Sequence, residues 1–182
     1  YEPADELIER LIPMTIEAFG AWDRNAIKVQ AMQTRNLEYQ GRIDEAIIHA
    51  ADLHERLSGA LGTDDEQTLK AEAMLNSLYL DSEQWDKTDT IMAARRARWN
   101  NNPDELVKFA TLISTHSITD YKERYLDLAL DSAQRAVAIR GEDEPETTFA
   151  LANVHMARGE HAEAARWLET TISNAGEEHE DL

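Results

Sequence analysis

Along residues 43–58 the apolar positions recur at a helix's spacing. Ala46, Ala50 and Leu53 stand four and three apart, one stripe of a 3.6-residue helix. Small alanines on such a stripe let two helices approach closely. The pattern predicts a helix pair, Ile27–Gln40 and Ile43–Ser58, split by Gly41-Arg42, because glycine accepts a left-handed backbone at no steric cost and stops a helix. The plan returns at Leu69–Ser82 and Trp85–Trp99, with Leu75, Leu78, Tyr79 and Met92 apolar. A looser third pair is Leu106–His116 and Tyr125–Ile139, in which Ala129, Ala133 and Ala136 fill the small positions. The segment between them, Ser117–Arg124, reads as a turn about four residues longer than the pattern, which predicts a changed helix angle and a wider groove there. A fourth pair opens at Pro145-Glu146, proline in the first turn and acid beside the positive end of the helix dipole.

These pairs share a register. Moved forward by 42 positions, Gly20 meets Gly62, Asp23 meets Asp65, Ile27 meets Leu69 and Lys28 meets Lys70; Ala31-Met32 meets Ala73-Met74, and Asp44 meets Asp86. A gapless offset held over so many positions marks an internal repeat, each unit hiding its apolar face against the next. The expected organisation is one array over 1–182: the second helix of a cut repeat at 1–20, repeats at 27–58, 69–100, 106–140 and 145–175, and an acidic tail at 176–182. Carried backwards, the same offset lays Tyr1 on Ile43, Ala4 on Ala46, Ile8 on Ala50 and Leu11 on Leu53, so residues 1–18 read as a second helix without its first. Pro13 inside it is expected to kink it or interrupt its hydrogen bonding. An exposed leading helix is also a candidate surface for homo-oligomer formation.

Composition narrows the class. With 42% hydrophobic residues, 7 Gly and 4 Pro in 182 residues, the chain is too apolar for disorder and too poor in turn residues for an all-β fold. The charge, 36 acidic against 18 basic side chains for a formal −18, repels nucleic acid and anionic membrane over most of the surface and speeds encounter with a basic partner. Without cysteine there are no disulfides, thiolate metal sites or thiol nucleophiles. No apolar run reaches the ~18–20 residues that span a bilayer, and no basic-then-apolar leader opens the chain. A cytoplasmic location is the expectation, a leader lost upstream of the cut being compatible with the same residues.

In the fourth unit Leu151-Ala152, His155, Gly159 and Ala164, followed by Leu168 and Thr171, resemble the tetratricopeptide repeat (TPR) pattern: Leu-Ala, a ring three residues on, Gly four after that and Ala five beyond. Leu112, Ile113 and His116 are read as the third unit's counterparts of Leu151, Ala152 and His155. The 42-residue units, with Leu61-Gly62-Thr63-Asp64-Asp65-Glu66-Gln67-Thr68-Leu69, resemble the long-linker repeats of kinesin light chains and their bacterial relatives. The third and fourth units look like the standard bacterial TPR units that follow kinase or thioredoxin-like domains. The resemblance implies an all-α fold, a right-handed α-α superhelix of about nine helices, whose first helices line a peptide-binding groove. It implies a protein-protein interaction scaffold, not an enzyme, needing no cofactor, with a protein or peptide as partner. The alternatives are a regulatory or substrate-docking segment of an enzyme (kinase or thioredoxin-like) lying upstream, and a self-association module.

Counted on that pattern, the groove positions are Lys28, Arg35, Glu38 and Tyr39 in the first unit; Lys70, Ala73, Ser77 and Asp81 in the second; Ala110 and Ser114 in the third; Phe149 and Asn153 in the fourth. Lys28, Arg35 and Lys70 are notable cations on an acidic chain, suited to acidic groups of a bound segment or to local pairs with Glu38 or Glu72. The Lys and Asn set with which chaperone-binding relatives hold a terminal carboxylate is not reproduced. Other constellations have plainer readings. His155 and His161 flank the Gly159 turn at ring positions and are expected to pack between helices, because zinc needs three or four convergent ligands. His49 and His54, five apart, are expected at the surface on different faces. Arg95-Arg96-Ala97-Arg98 lies in the last turns of a helix, where cations offset the dipole, and is not read as a nucleic-acid contact. The four tryptophans are expected to pack between helices. No glycine-rich phosphate loop and no nucleophile motif occurs.

Overall fold

In a computed structural model, which describes the backbone of residues 2–177 and the side chains of 4–175, the described residues form nine α-helices and no strand. They are α1 (Glu2–Phe19), α2 (Arg24–Tyr39), α3 (Ile43–Leu61), α4 (Glu66–Asp81), α5 (Trp85–Arg98), α6 (Pro103–Ser114), α7 (Thr119–Arg140), α8 (Pro145–Ala157) and α9 (His161–Glu177). The starts of α2 and α4, α3 and α5, α6 and α8, and α7 and α9 all lie 42 residues apart. The chain forms two compact units, residues 1–91 and 92–182, the division falling within α5. Among the described residues no helix is long and apolar enough to cross a membrane.

Helices α2 and α4 begin three residues before the first apolar position of their stripes. Asp23 and Asp65 sit just outside in extended backbone, and their carboxylates accept from the backbone N–H of Asn25 and Gln67, each at 2.8 Å. Two repeat-related caps satisfy otherwise orphaned donors, so the helices start at the cap and not at Ile27 or Leu69. After α2, Gly41 takes φ +74°, with its N–H on Glu38 O and that of Arg42 on Leu37 O. Glu83, the residue 42 positions on, adopts the same left-handed turn at φ +57°, with Gln84 N–H on Tyr79 O at 2.8 Å. An L side chain there costs about 1–2 kcal/mol, so the repeat's geometry overrides the local preference of its sequence.

In the first unit the alanines Ala46 and Ala50 of α3 are fully buried against Leu37, Leu75 and Leu78, and Leu53 and Leu57 close over Ile27 and Ala71. This is the close helix approach that small residues permit. Helix α1 continues through Pro13 as one element, so the proline does not end it. It is tied to α2 by Asp5, which accepts from Asn36 and from Gln40 Nε2 at 2.8 Å. Ile8 is its buried anchor, while Leu7 and Met14 stay more than half exposed.

In the second unit the long turn expected over Ser117–Arg124 is absent. Helix α7 starts at Thr119, so residues 119–124 are helical and only 115–118 connect α6 to α7. The cause is Tyr121, 2% exposed: its ring meets those of His116 at 4.2 Å and Tyr125 at 4.9 Å, and its hydroxyl donates to Met92 Sδ at 3.4 Å. Burial also raises its phenol pKa to about 12. The pairing of Leu112-Ile113 with Leu151-Ala152 is likewise corrected. Leu112 is 48% exposed and Leu151 2%; the 42-residue register instead aligns Phe109-Ala110, at 2% and 0%, with Leu151-Ala152 at 2% and 1%. Pro103 and Pro145 open both helices, and proline's place at the first turn sets that register. At the other end Gly176 and Glu177 belong to α9 and not to a tail; the remainder of the expected tail, 178–182, lies outside the described residues.

Candidate functional site

In the first unit the outward faces of α2 and α4, backed by Leu53 of α3, enclose a groove of about 870 Å³. The 42-residue register places like on like across it: Lys28 beside Lys70 on the cationic side, and Ala31-Met32 beside Ala73-Met74 on its floor. Arg24, Asn25, Arg35, Glu38, Gln67 and Ser77 complete the polar lining. Thus four of the eight Lys and Arg of residues 1–91 line this groove, with one of the 19 Asp and Glu of the same residues. Ile27 is buried at its base, whereas Met32 is 44% exposed. The result is a basic, partly apolar trough on a strongly acidic surface.

Its cations differ in how far they are committed. Lys70 donates to Glu66, one turn back on α4, and Arg24 lies 3.8 Å from the same carboxylate. These contacts, the hydrogen bond from Lys70 first, lower the Glu66 pKa. Glu72 is not the local partner expected for Lys70: it is 3% exposed, turned away from the groove, with His54 Nε2 at 3.9 Å. Lys28 and Arg35 are exposed, and neither has an ion pair within 4.0 Å among the described residues. Two uncommitted cations about two helical turns apart leave the site short of negative charge.

The second unit has its own groove, about 480 Å³, between α6 and α8. Its lining repeats in the same register with the opposite sign: Asp104 with Glu146, and Val107 with Phe149, flanked by Asn102, Glu105, Lys108 and Thr111. Phe149 is 50% exposed. Arg140 of α7 donates to Asp104 and lies 3.6 Å from Glu146, and Lys108 donates to Glu105 at 2.7 Å.

Of the groove positions expected from the pattern, Lys28, Arg35, Lys70 and Ser77 come together in the first groove with Glu38 and Ala73, and Phe149 lies in the second. Tyr39, 76% exposed, and Asp81 are surface residues outside both linings, and Asn153 is half-buried and also outside them. Ala110 is fully buried; Ser114, 7% exposed, donates to Thr111 O at 3.2 Å, so neither faces a ligand. Pattern counting missed Arg24, Met32 and Met74. The signal for the last two was present, since the repeat aligns them.

The plainer expectations have mixed outcomes, and the basic run does close helix α5 as expected. His49 and His54 are half-buried and not surface residues: His49 Nδ1 is 2.8 Å from Thr34 Oγ1 on α2, and burial lowers its pKa. His155 is buried beside Glu160 at 2.6 Å, as expected of a ring packed between helices, whereas His161 is exposed and is not packed there. Arg95 is buried and Arg96 pairs with Asp131 at 2.5 Å, so most of the basic run serves internal contacts. Trp99 packs edge-on against Phe109 and Trp167 is buried, whereas Trp22 is 45% exposed.

No family model and no curated protein matches the chain. Solved structures do. A protein of Podosopora anserina assigned as a kinesin light chain, with nearly identical TPR-like repeats, superposes with a TM-score of 0.58 at 16% identity, covering 94% of this chain and 85% of that one. BtubC (BKLC) of P. vanneervenii gives 0.55 at 13% identity, over 98% and 74%. At such identities the likeness speaks for the backbone, and by fold the chain is a TPR-like helical repeat protein.

Proposed function

We propose that the chain is a protein-interaction scaffold whose first groove receives an acidic, partly apolar segment of a partner polypeptide. The carrying observation is the concentration of cations in the groove on a chain of net charge −18, with Lys28 and Arg35 unpaired there. A side chain of the ligand would rest on Met32, Ala31 and Met74, and its carboxylates would face Lys28, Arg35 and Lys70. Thioether floors adapt to differently shaped apolar side chains. TPR-like fold neighbours support an interaction role in general terms, and the charge supplies the chemistry of the partner. A docking segment of a larger enzyme would place the same demand on this groove. No catalytic role is proposed.

The test is binding of a labelled acidic peptide carrying one leucine, measured by fluorescence anisotropy. Lys28→Glu with Lys70→Glu is expected to weaken binding about tenfold or more, since ~1.4 kcal/mol of lost and reversed charge contacts suffices. The wild-type affinity should fall with added salt, because exposed charges are screened within about 10 Å at 0.1 M. Unchanged affinity in the double variant ends this reading.

A second reading, self-association through α1, is favoured by one observation. Leu7 and Met14, two turns apart on one face, are 54% and 59% exposed, with Phe19 and Trp22 at 59% and 45% beyond them. Exposed apolar side chains on one helix face suit burial against a second copy.

A further inference from the structure

We propose that the α6–α8 groove is a second docking surface, selective for a basic segment with an apolar anchor. The inference takes from the reading above only the premise that outward faces of the first helices receive polypeptide; its charge preference is opposite. Three observations carry it. The repeat register doubles the apolar element, Val107 with Phe149, and leaves an aromatic ring 50% exposed in a cavity of about 480 Å³. The same register doubles the acid, Asp104 with Glu146, and adds Glu105, so the lining holds three carboxylates against one ammonium, Lys108. Finally, Arg140 already bridges the two repeat-related carboxylates, donating to Asp104 with Glu146 at 3.6 Å. The site thus accommodates a guanidinium, and one such group serves two acids, leaving the longer Glu146 contact open to improvement by an incoming cation.

The occupant follows from complementarity. An aliphatic side chain inserts between Val107 and Phe149, removing an exposed ring from water, and flanking Arg or Lys side chains meet Glu146 and share Glu105 with Lys108 at the rim. Planar guanidinium pairs bidentately with carboxylate, so arginine is favoured over lysine in this role. The overall negative field of the molecule speeds encounter with such a segment, in contrast to the first groove, where an acidic ligand must reach an island of positive charge.

Three synthetic peptides test the proposal on the full chain: one with a leucine flanked by arginines, the same with serine for the leucine, and the same with glutamates for the arginines. Amide shifts in 15N-labelled protein are the readout. The Arg–Leu–Arg peptide is expected to shift Val107, Thr111 and Phe149 as one saturable set. The serine and glutamate versions are expected to bind at least tenfold more weakly. Phe149→Ala and, separately, Glu105→Gln with Glu146→Gln should each lower affinity about fivefold or more; the second variant keeps the ring and the fold should the first perturb α8. Lys28→Glu with Lys70→Glu should leave this binding unchanged, while the acidic-peptide assay fails in the same variant. Equal binding of the leucine and serine peptides, or shifts scattered over acidic residues at large, would overturn the proposal. Failure of the acidic-peptide assay in wild type would sink the first-groove reading and leave this one standing.

Discussion

Glu83 shows how a single residue carries the repeat's geometry against its own preference. It holds the left-handed position that Gly41 fills in the preceding hairpin and Gly159, at φ +76°, in the last. Replacing Glu83 by glycine relieves about 1–2 kcal/mol of backbone strain and adds about 0.4–1 kcal/mol of unfolded-state entropy to be lost on folding. The expected net gain is about 0.5–1 kcal/mol, and Gly41→Ala should lose about 1 kcal/mol, both read from urea midpoints at constant slope. A loss on Glu83→Gly would mean that the carboxylate, not the backbone, matters at this turn. His49 is the converse, a residue whose role escapes pattern reading. Its charge state depends on burial against α2, and with its pKa lowered in the fold it favours the neutral form. Its contribution is therefore intact above the ordinary histidine range and is lost as pH falls through it.

At the scale of elements, helix ends were less legible than helices. Every pair foreseen from spacing exists, yet α2 and α4 start at their aspartate caps and α7 starts six residues before Tyr125. Caps are local and readable, but they lie outside the apolar stripe, which marks only where packing begins. Tyr121 is different: its apolar weight looked like turn sequence until the rings of His116 and Tyr125 and the sulfur of Met92 gathered round it. Removing it should therefore undo the first turns of α7 specifically. Tyr121→Ala is expected to cost about 3–5 kcal/mol, in line with large aromatic truncations. Amide exchange should rise first over residues 119–124; unchanged protection there would mean that the backbone holds those turns without the ring.

At the scale of the whole molecule, an exposed apolar face and a high net charge act in opposite directions. Leu7 and Met14 favour pairing of copies through α1, while a formal −18 disfavours it at low salt. Self-association through this face is therefore expected to strengthen with salt, the reverse of the first groove's ligand binding. Sedimentation velocity over a range of protein concentration checks it at low and high salt. Leu7→Glu with Met14→Glu should give a monomer throughout, and a wild-type monomer under all conditions would exclude this mode.

The fold class and the 42-residue register lie in the sequence by itself, because apolar period, small-residue stripes and recurring glycines are local properties that survive without knowledge of neighbours. The alternation of charge between the two grooves was partly there too: Lys28 with Lys70, and Asp104 with Glu146, are repeat-related pairs visible once the register is correct. Tertiary structure alone decided which of these residues face outward. Ser114 and Ala110 sit at plausible groove positions yet are buried, and Glu72 turns inward while Lys70 takes Glu66. A helix offers each residue a direction but not a neighbour, and exposure is settled only when the adjoining helix covers one side of the cylinder and leaves the other to solvent.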